Sequence, residues 1–140
     1  MNISQEGLEF IEQQEGCVLH VYQDPAGNPT IGVGHLIKAG EDYSNGLTQA
    51  QAMDLLAQDV KRFEDAVNSY GLNLTQNQFD VLVDFAFNAG EGALQQLLSH
   101  GLDAVPDQLP NWVHAHKDGQ LIVVEALVNR RAAEVTRWNA

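Results

Sequence analysis

The stretch EGCVLHVYQDPAGNPTIGVGH, residues 15–35, decides the fold. Two short runs rich in β-branched and aromatic residues, CVLHVYQ and TIGVG, flank the connector DPAGNP. In that connector Asp24, Pro25 and Gly27 suit the first, second and fourth places of a type I turn, so the segment predicts a β-hairpin. The stretch also carries chemistry. Glu15 opens it, Asp24 follows after eight intervening residues, and Thr30 after five more. Two carboxylates and a hydroxyl are thus gathered around one tight hairpin.

Outward from the hairpin the chain reads as helices. On the N-terminal side Ile3, Phe10 and Ile11 share one face of a first helix, with Ser4 as N-cap and Gly16 able to close its C-terminus. On the other side, after the polar loop KAGEDYSNG, Thr48–Gln51 reads as a capping box. Met53, Leu56, Val60, Phe63 and Val67 then recur at three- and four-residue spacing, which predicts one long amphipathic helix ending before Gly71. Thr75–Gln78 is a second box. The helix it opens, FDVLVDFAFNAG, is apolar nearly all round and belongs at the centre of a core, with Gly90 to end it. Short helices are expected around LQQLLSH and PNWVHAH. A last helix carries Val124, Leu127, Val128, Arg131, Val135 and Trp138 on one face, where a buried Arg131 needs a carboxylate or several carbonyls. No linker, repeat or low-complexity segment interrupts the 140 residues, so one domain is expected.

Composition narrows the function. With 19 acidic side chains against seven Lys and Arg, the net charge is −12, which repels nucleic acid and anionic membranes. No basic patch offsets it. Cys17 is the only cysteine, which excludes an internal disulfide and a cysteine-rich zinc site. It sits in an apolar run and reads as a small buried residue, not a nucleophile. His114 and His116, two apart, are poorly spaced for joint ligation from a helix. With His100 they read as surface or packing residues, so no metal and no cofactor is expected. MNISQEGLEF lacks the features of a signal peptide, and no apolar run reaches membrane-spanning length, so synthesis in the cytoplasm is expected.

Glu15 falls at the negative end of a helix dipole beside apolar residues, two influences that favour the protonated form and suit a general acid. Asp24 lies in a polar turn where it stays ionised. Two carboxylates in contrasting environments are the pair used in glycoside hydrolysis. Thr30 opens the second strand near Asp24, where its hydroxyl can hold a water between them. Taken singly, Glu15 is also an ordinary helix-end acid and Asp24 an ordinary turn-capping residue. The residues alone leave both readings open.

The order Glu15, Asp24, Thr30, Ile31, Gly32, Gly34, His35 resembles the catalytic signature of the phage-type lysozymes, glycoside hydrolase family 24. FAFNAG (residues 85–90) is similar to the end of that family's central helix, and VNRRAAE (128–134) to its C-terminal double-arginine motif, so the resemblance covers nearly the whole chain. It implies an α+β, mostly helical, two-lobed fold: a small β-hairpin lobe and a helical lobe joined by a long helix, here the one from Thr48 to about Ser69. It implies a muramidase that hydrolyses the β-1,4 bond between N-acetylmuramic acid and N-acetylglucosamine, acting on peptidoglycan strands of the cell wall as a monomer. Glu15, Asp24 and Thr30 would be catalytic. Leu36, Phe87 and Asn88 would contact sugar, with core packing as the plain alternative for Phe87. His35 and Arg131 would support the site.

The chain departs from the family pattern in a shorter stretch between Gly92 and Gly101, in Ala126 where Gly is usual, and in its acidity, since most such lysozymes are basic. A phage endolysin, a prophage enzyme and a secreted antibacterial effector all fit. Two other functions compete with hydrolysis: a non-catalytic glycan- or protein-binding module of the same fold, and a lytic transglycosylase. The presence of both Asp24 and Thr30 argues for hydrolysis.

Overall fold

A computed structural model describes residues 1–140. The chain forms two compact units, Met1–Tyr70 and Gly71–Ala140, each with its own set of buried apolar side chains.

The first unit opens with α1, Gln5–Glu15, which buries Leu8 and Ile11. Ser4 caps it as expected, its hydroxyl accepting from the Gly7 N–H at 3.0 Å. Strands β1 (Val18–Gln23) and β2 (Pro29–Gly32) follow as an antiparallel hairpin. The turn closes with the Gly27 N–H donating to the Asp24 carbonyl at 2.8 Å. Gly27 sits at φ 84°, a conformation that other residues rarely adopt. The chain reverses again beyond β2 and adds a third strand, β3 (His35–Leu36), in the order β1–β2–β3. The sequence did not suggest this strand, because it is only two residues long.

The capping box at Thr48 forms with both reciprocal bonds, Gln51 N–H to Thr48 Oγ1 at 3.1 Å and Thr48 N–H to Gln51 Oε1 at 2.9 Å. The single long helix expected after it is two helices, α2 (Gln49–Asp59) and α3 (Lys61–Asn68). Val60 between them is near-helical at φ −80°, ψ −10°. The buried row Leu56, Val60, Phe63 and Val67 therefore runs straight across the break, and apolar periodicity cannot register it. No helix of the protein is long and apolar enough to cross a membrane.

The second unit is built on α4, Gln76–Ala89, opened by the Thr75–Gln78 box and buried without interruption from Phe79 to Ala86. Helix α5 (Glu91–Leu98) follows, then a run of single helical turns that includes α6 (Val105–Gln108). The expected helix at PNWVHAH is not there beyond Asn111. In its place β4 (His114–Lys117) pairs antiparallel with β5 (Gln120–Val123). The cause is local. Asp118 and Gly119 both take positive φ, 53° and 78°, the two-residue turn that an Asp-Gly pair favours between strands.

Helix α7, Glu125–Trp138, ends the chain. Its buried face differs from the expected one. Arg131 and Trp138 are buried, but so are Arg130 and Glu134, while Val128 is exposed. Charged side chains are buried here because each meets a partner of opposite sign, which hydrophobic spacing does not reveal. The small antiparallel sheets and predominance of helix fit the α+β class.

Candidate active site

Glu15, Asp24, Thr30, His35 and Leu36 all belong to the first unit. Glu15 is the last residue of α1 and is exposed, so the burial expected around it is absent. The backbone supplies the helix terminus: the Gly16 N–H donates to the Glu12 carbonyl at 2.7 Å.

Asp24 is clamped by its own turn. Its Oδ1 accepts from the backbone N–H groups of Ala26 at 2.9 Å and Asn28 at 2.8 Å. Oδ2 meets the Asn28 amide at a long 3.4 Å. These bonds, the Asn28 backbone N–H foremost, hold its pKa below the ordinary carboxylate value. One oxygen is thus committed to the backbone and the other is only weakly engaged. Tyr22 pairs with Thr30 and Gln23 with Pro29. This register sets Asp24 opposite Asn28, so Asp24 and Thr30 lie two positions apart on one face of the hairpin. Thr30 is buried and its hydroxyl donates to the Asn28 carbonyl at 2.9 Å. With its proton spent there, Oγ1 keeps lone pairs for an incoming O–H.

His35 supports the hairpin from β3. Its ring is buried, with Nδ1 2.8 Å from Asp59 Oδ2 and Nε2 3.1 Å from Glu41 Oε1. Tyr43 donates to the other Glu41 oxygen at 3.0 Å. Burial works against charge on His35, but the hydrogen bonds and charges of Glu41 and Asp59 outweigh it, and its pKa is raised. Glu41 is lowered to about 2, chiefly by the Lys38 N–H and then by His35. The support role expected of His35 therefore has a definite form, but neither acid was identified from the sequence. The raised imidazole adds stability that is complete below its unfolded pKa of about 6.5 and is lost as pH rises through the folded value. The lowered Glu41 adds stability present above an unfolded pKa of about 4.3 and lost as pH falls toward the folded value. The stability gap between the parent and His35→Asn is therefore expected to be widest between about pH 4.5 and 6.5 and to narrow in alkali. Thermal denaturation at about pH 5.5 and about pH 9 checks this; an equal gap at both would contradict it.

Leu36, next to His35 on β3 and paired with Thr30, is 53% exposed, an unusual position for a large apolar side chain. Cys17 is half-buried and lies 3.7 Å from the Gln49 amide oxygen. Burial and nearby Glu12 push its thiol pKa up, which suits a packing residue better than a nucleophile.

Phe87, Asn88 and Arg131 belong to the second unit. Phe87 and Asn88 are half-buried near the end of α4. Arg131 is fully buried, with Nη1 3.2 Å from Glu134 Oε1, Nη2 donating to Asn88 Oδ1, and its guanidinium over the Phe85 ring. The carboxylate expected beside it is Glu134. Beneath them Arg130 makes a two-pronged bond to the buried Asp84, Nη2 to Oδ1 at 2.6 Å and Nε to Oδ2 at 3.1 Å. Glu134 is fully buried against Asp84. Burial first, then Asp84, raises its pKa well above the ordinary value, against the pull of Arg131 and Arg130, so its surroundings favour the protonated form. Arg130, Asp84 and Glu134 were missed at the sequence level. The signal was two aspartates, Asp80 and Asp84, in a helix otherwise apolar all round.

Comparison with known proteins places this arrangement. The Phage lysozyme family model matches residues 12–134. The endolysin of Bacillus phage PZA is 40% identical over 151 aligned positions, covering the whole of this chain but only 56% of that protein, so the chain spans little more than half of that relative's length. The endolysin of Salmonella phage P22 is 35% identical over 133 positions, covering 88% of this chain and 91% of the relative. Among solved structures, the muramidase domain of SpmX from Asticaccaulis excentricus superimposes with a TM-score of 0.86 at 35% identity, covering 99% of this chain and 98% of that one. A signature clamped by its own hairpin and a match across nearly the full length of both sequence and fold lead to one conclusion: the chain belongs to the phage lysozyme family.

Proposed function

We propose that residues 1–140 act as one muramidase domain on the peptidoglycan of the cell wall, hydrolysing the β-1,4 bond between N-acetylmuramic acid and N-acetylglucosamine. Family membership supports the reaction class, and one solved relative is itself a muramidase domain. Glu15 is the general acid that protonates the leaving oxygen. Asp24 is the base that takes a proton from water, and Thr30 positions that water. Leu36 offers an apolar surface to a sugar ring, with Phe87 and Asn88 as further sugar contacts. Because Arg131 holds the Asn88 oxygen, the Asn88 amide presents its N–H end to a ligand. His35 and Arg131 act by holding their neighbours.

The observation that carries this reading is the Asp24–Thr30 pair. Backbone N–H groups on Oδ1 favour the ionised form of Asp24, Oδ2 meets only the Asn28 amide at a long 3.4 Å, and the neighbouring hydroxyl keeps its lone pairs. A water donating to both is activated at its oxygen. In an inverting hydrolase such a water attacks the ring face opposite the leaving group, whereas a retaining enzyme uses the second carboxylate as nucleophile. The α-anomer is therefore expected as first product from the β-linked glycan. Proton NMR of the anomeric signals in the first minutes of digestion reads this directly. An initial β-anomer would replace direct water attack with an intermediate at Asp24. Anhydro-muramic ends in place of reducing ends would make the protein a lytic transglycosylase.

A further inference from the structure

His114 and His116 diverge on a helix but not on strand β4, where alternate side chains project from the same face. Both are exposed, and both line a cavity of about 460 Å³ within the second unit, together with Asn111, Asn88, Trp112 and Leu121. The strand is held against β5 by the pairs His114↔Val123 and His116↔Leu121, so the two imidazoles are carried by a fixed backbone. The lining contains no acidic and no cationic side chain.

The two asparagines differ in what they offer. Asn88 has its oxygen engaged by Arg131. Asn111 donates its amide nitrogen to Gln108 Oε1 at 3.3 Å, which leaves its carboxamide oxygen as the free end. Two histidines and an asparagine whose carboxamide oxygen is not used by Gln108 therefore line one cavity.

We propose that His114, His116 and the Asn111 carboxamide oxygen bind a divalent transition cation of the Cu²⁺, Ni²⁺ and Zn²⁺ group. Imidazole ligands select these ions, whereas Ca²⁺ and Mg²⁺ require carboxylate-rich oxygen sites. Cu²⁺ binds tightest, as nitrogen sites generally dictate. No third histidine, cysteine or acid joins the pair, so water fills the remaining positions and the site is open. The net charge of −12 raises the local concentration of cations around the protein. A consequence follows that rests on the proposed sugar contact of Asn88: a cation in the cavity that Asn88 lines competes with the glycan and slows hydrolysis.

The test titrates the EDTA-treated, dialysed protein with Cu²⁺ and separately with Zn²⁺ and Mg²⁺. Calorimetry gives the stoichiometry, and NMR of the histidine side chains locates the ion. One equivalent of Cu²⁺ is expected, broadening His114 and His116 before His20, His35 and His100, with no heat from Mg²⁺. Either H114Q or H116Q should weaken binding at least about tenfold, because one of two linked ligands is gone. Broadening that begins at another histidine, or affinity unchanged in the double variant, overturns the site. The consequence is read separately, as the ratio of glycan cleavage with and without Zn²⁺ for each variant. Inhibition of the parent that disappears in the double variant supports it. Binding at His114 and His116 without inhibition keeps the cation site and overturns the sugar contact of Asn88. A parent that cleaves no glycan overturns the muramidase reading while the binding measurements still decide the cation site.

Discussion

Replacing Glu15 by Gln is expected to lower glycan cleavage by roughly 10²–10⁴-fold, the usual worth of a general acid. Gln keeps the size and most of the hydrogen-bonding capacity of the side chain but has no proton to give to the leaving oxygen. The fold should persist. The end of α1 is closed by the Gly16 backbone, its start by Ser4, and its buried anchors are Leu8 and Ile11. The measurement is the rate of reducing-end release from purified peptidoglycan, beside far-ultraviolet circular dichroism of the same sample. A variant that is folded and nearly as fast as the parent would remove Glu15 from the chemistry and leave Asp24 as the only candidate acid of the hairpin.

The largest expected effect on stability lies in the second unit. Asp84→Ala takes the two-pronged partner from Arg130 where both side chains are buried. Breaking a buried pair by removing one member costs about 3–5 kcal/mol, against about 5–15 kcal/mol for a whole domain. Urea denaturation should show a midpoint far below the parent's. Glu134→Gln is the informative companion. Burial and Asp84 favour the protonated form of Glu134, so Gln, a neutral side chain of the same shape, should be tolerated. If Glu134→Gln were as damaging as Asp84→Ala, the proton would belong elsewhere and Glu134 would be an ionised partner of Arg131.

What the sequence revealed was local. The first hairpin follows from Asp24, Pro25 and Gly27, which act within four residues. The two capping boxes follow from Thr48 with Gln51 and Thr75 with Gln78, which act over three. Both helix starts and the turn formed as read. The failures share another cause. His35 meets acids six and 24 residues away in the chain, and Arg130 meets one 46 away. Such separations leave no periodic trace. The second hairpin is a different case, because its signal was present in Asp118-Gly119 between HAHK and QLIV. Helical spacing and turn chemistry compete there, and the two histidines, which diverge on a helix, share a face on strand β4. For the candidate site, residue identities were legible from motif and resemblance. The way Asp24 is held was not, since it depends on which of its oxygens the backbone occupies.

Two aspartates on α4 face two arginines on α7: Asp84 bonds Arg130, and Asp80 bonds Arg137 at 3.0 Å. The order is crossed, so the helices run in opposite directions. The spacings are also unequal, four residues on one helix and seven on the other, about 6 Å against about 10.5 Å at the α-helical rise. The pairs therefore act as a vernier. Sliding α7 by one turn along α4 breaks both at once, because no single displacement realigns two unequal scales. An extra residue between Arg130 and Arg137 would turn one of them about 100° away, and only one pair would survive. The alignment of the two helices is thus encoded in charge, independently of how their apolar surfaces fit.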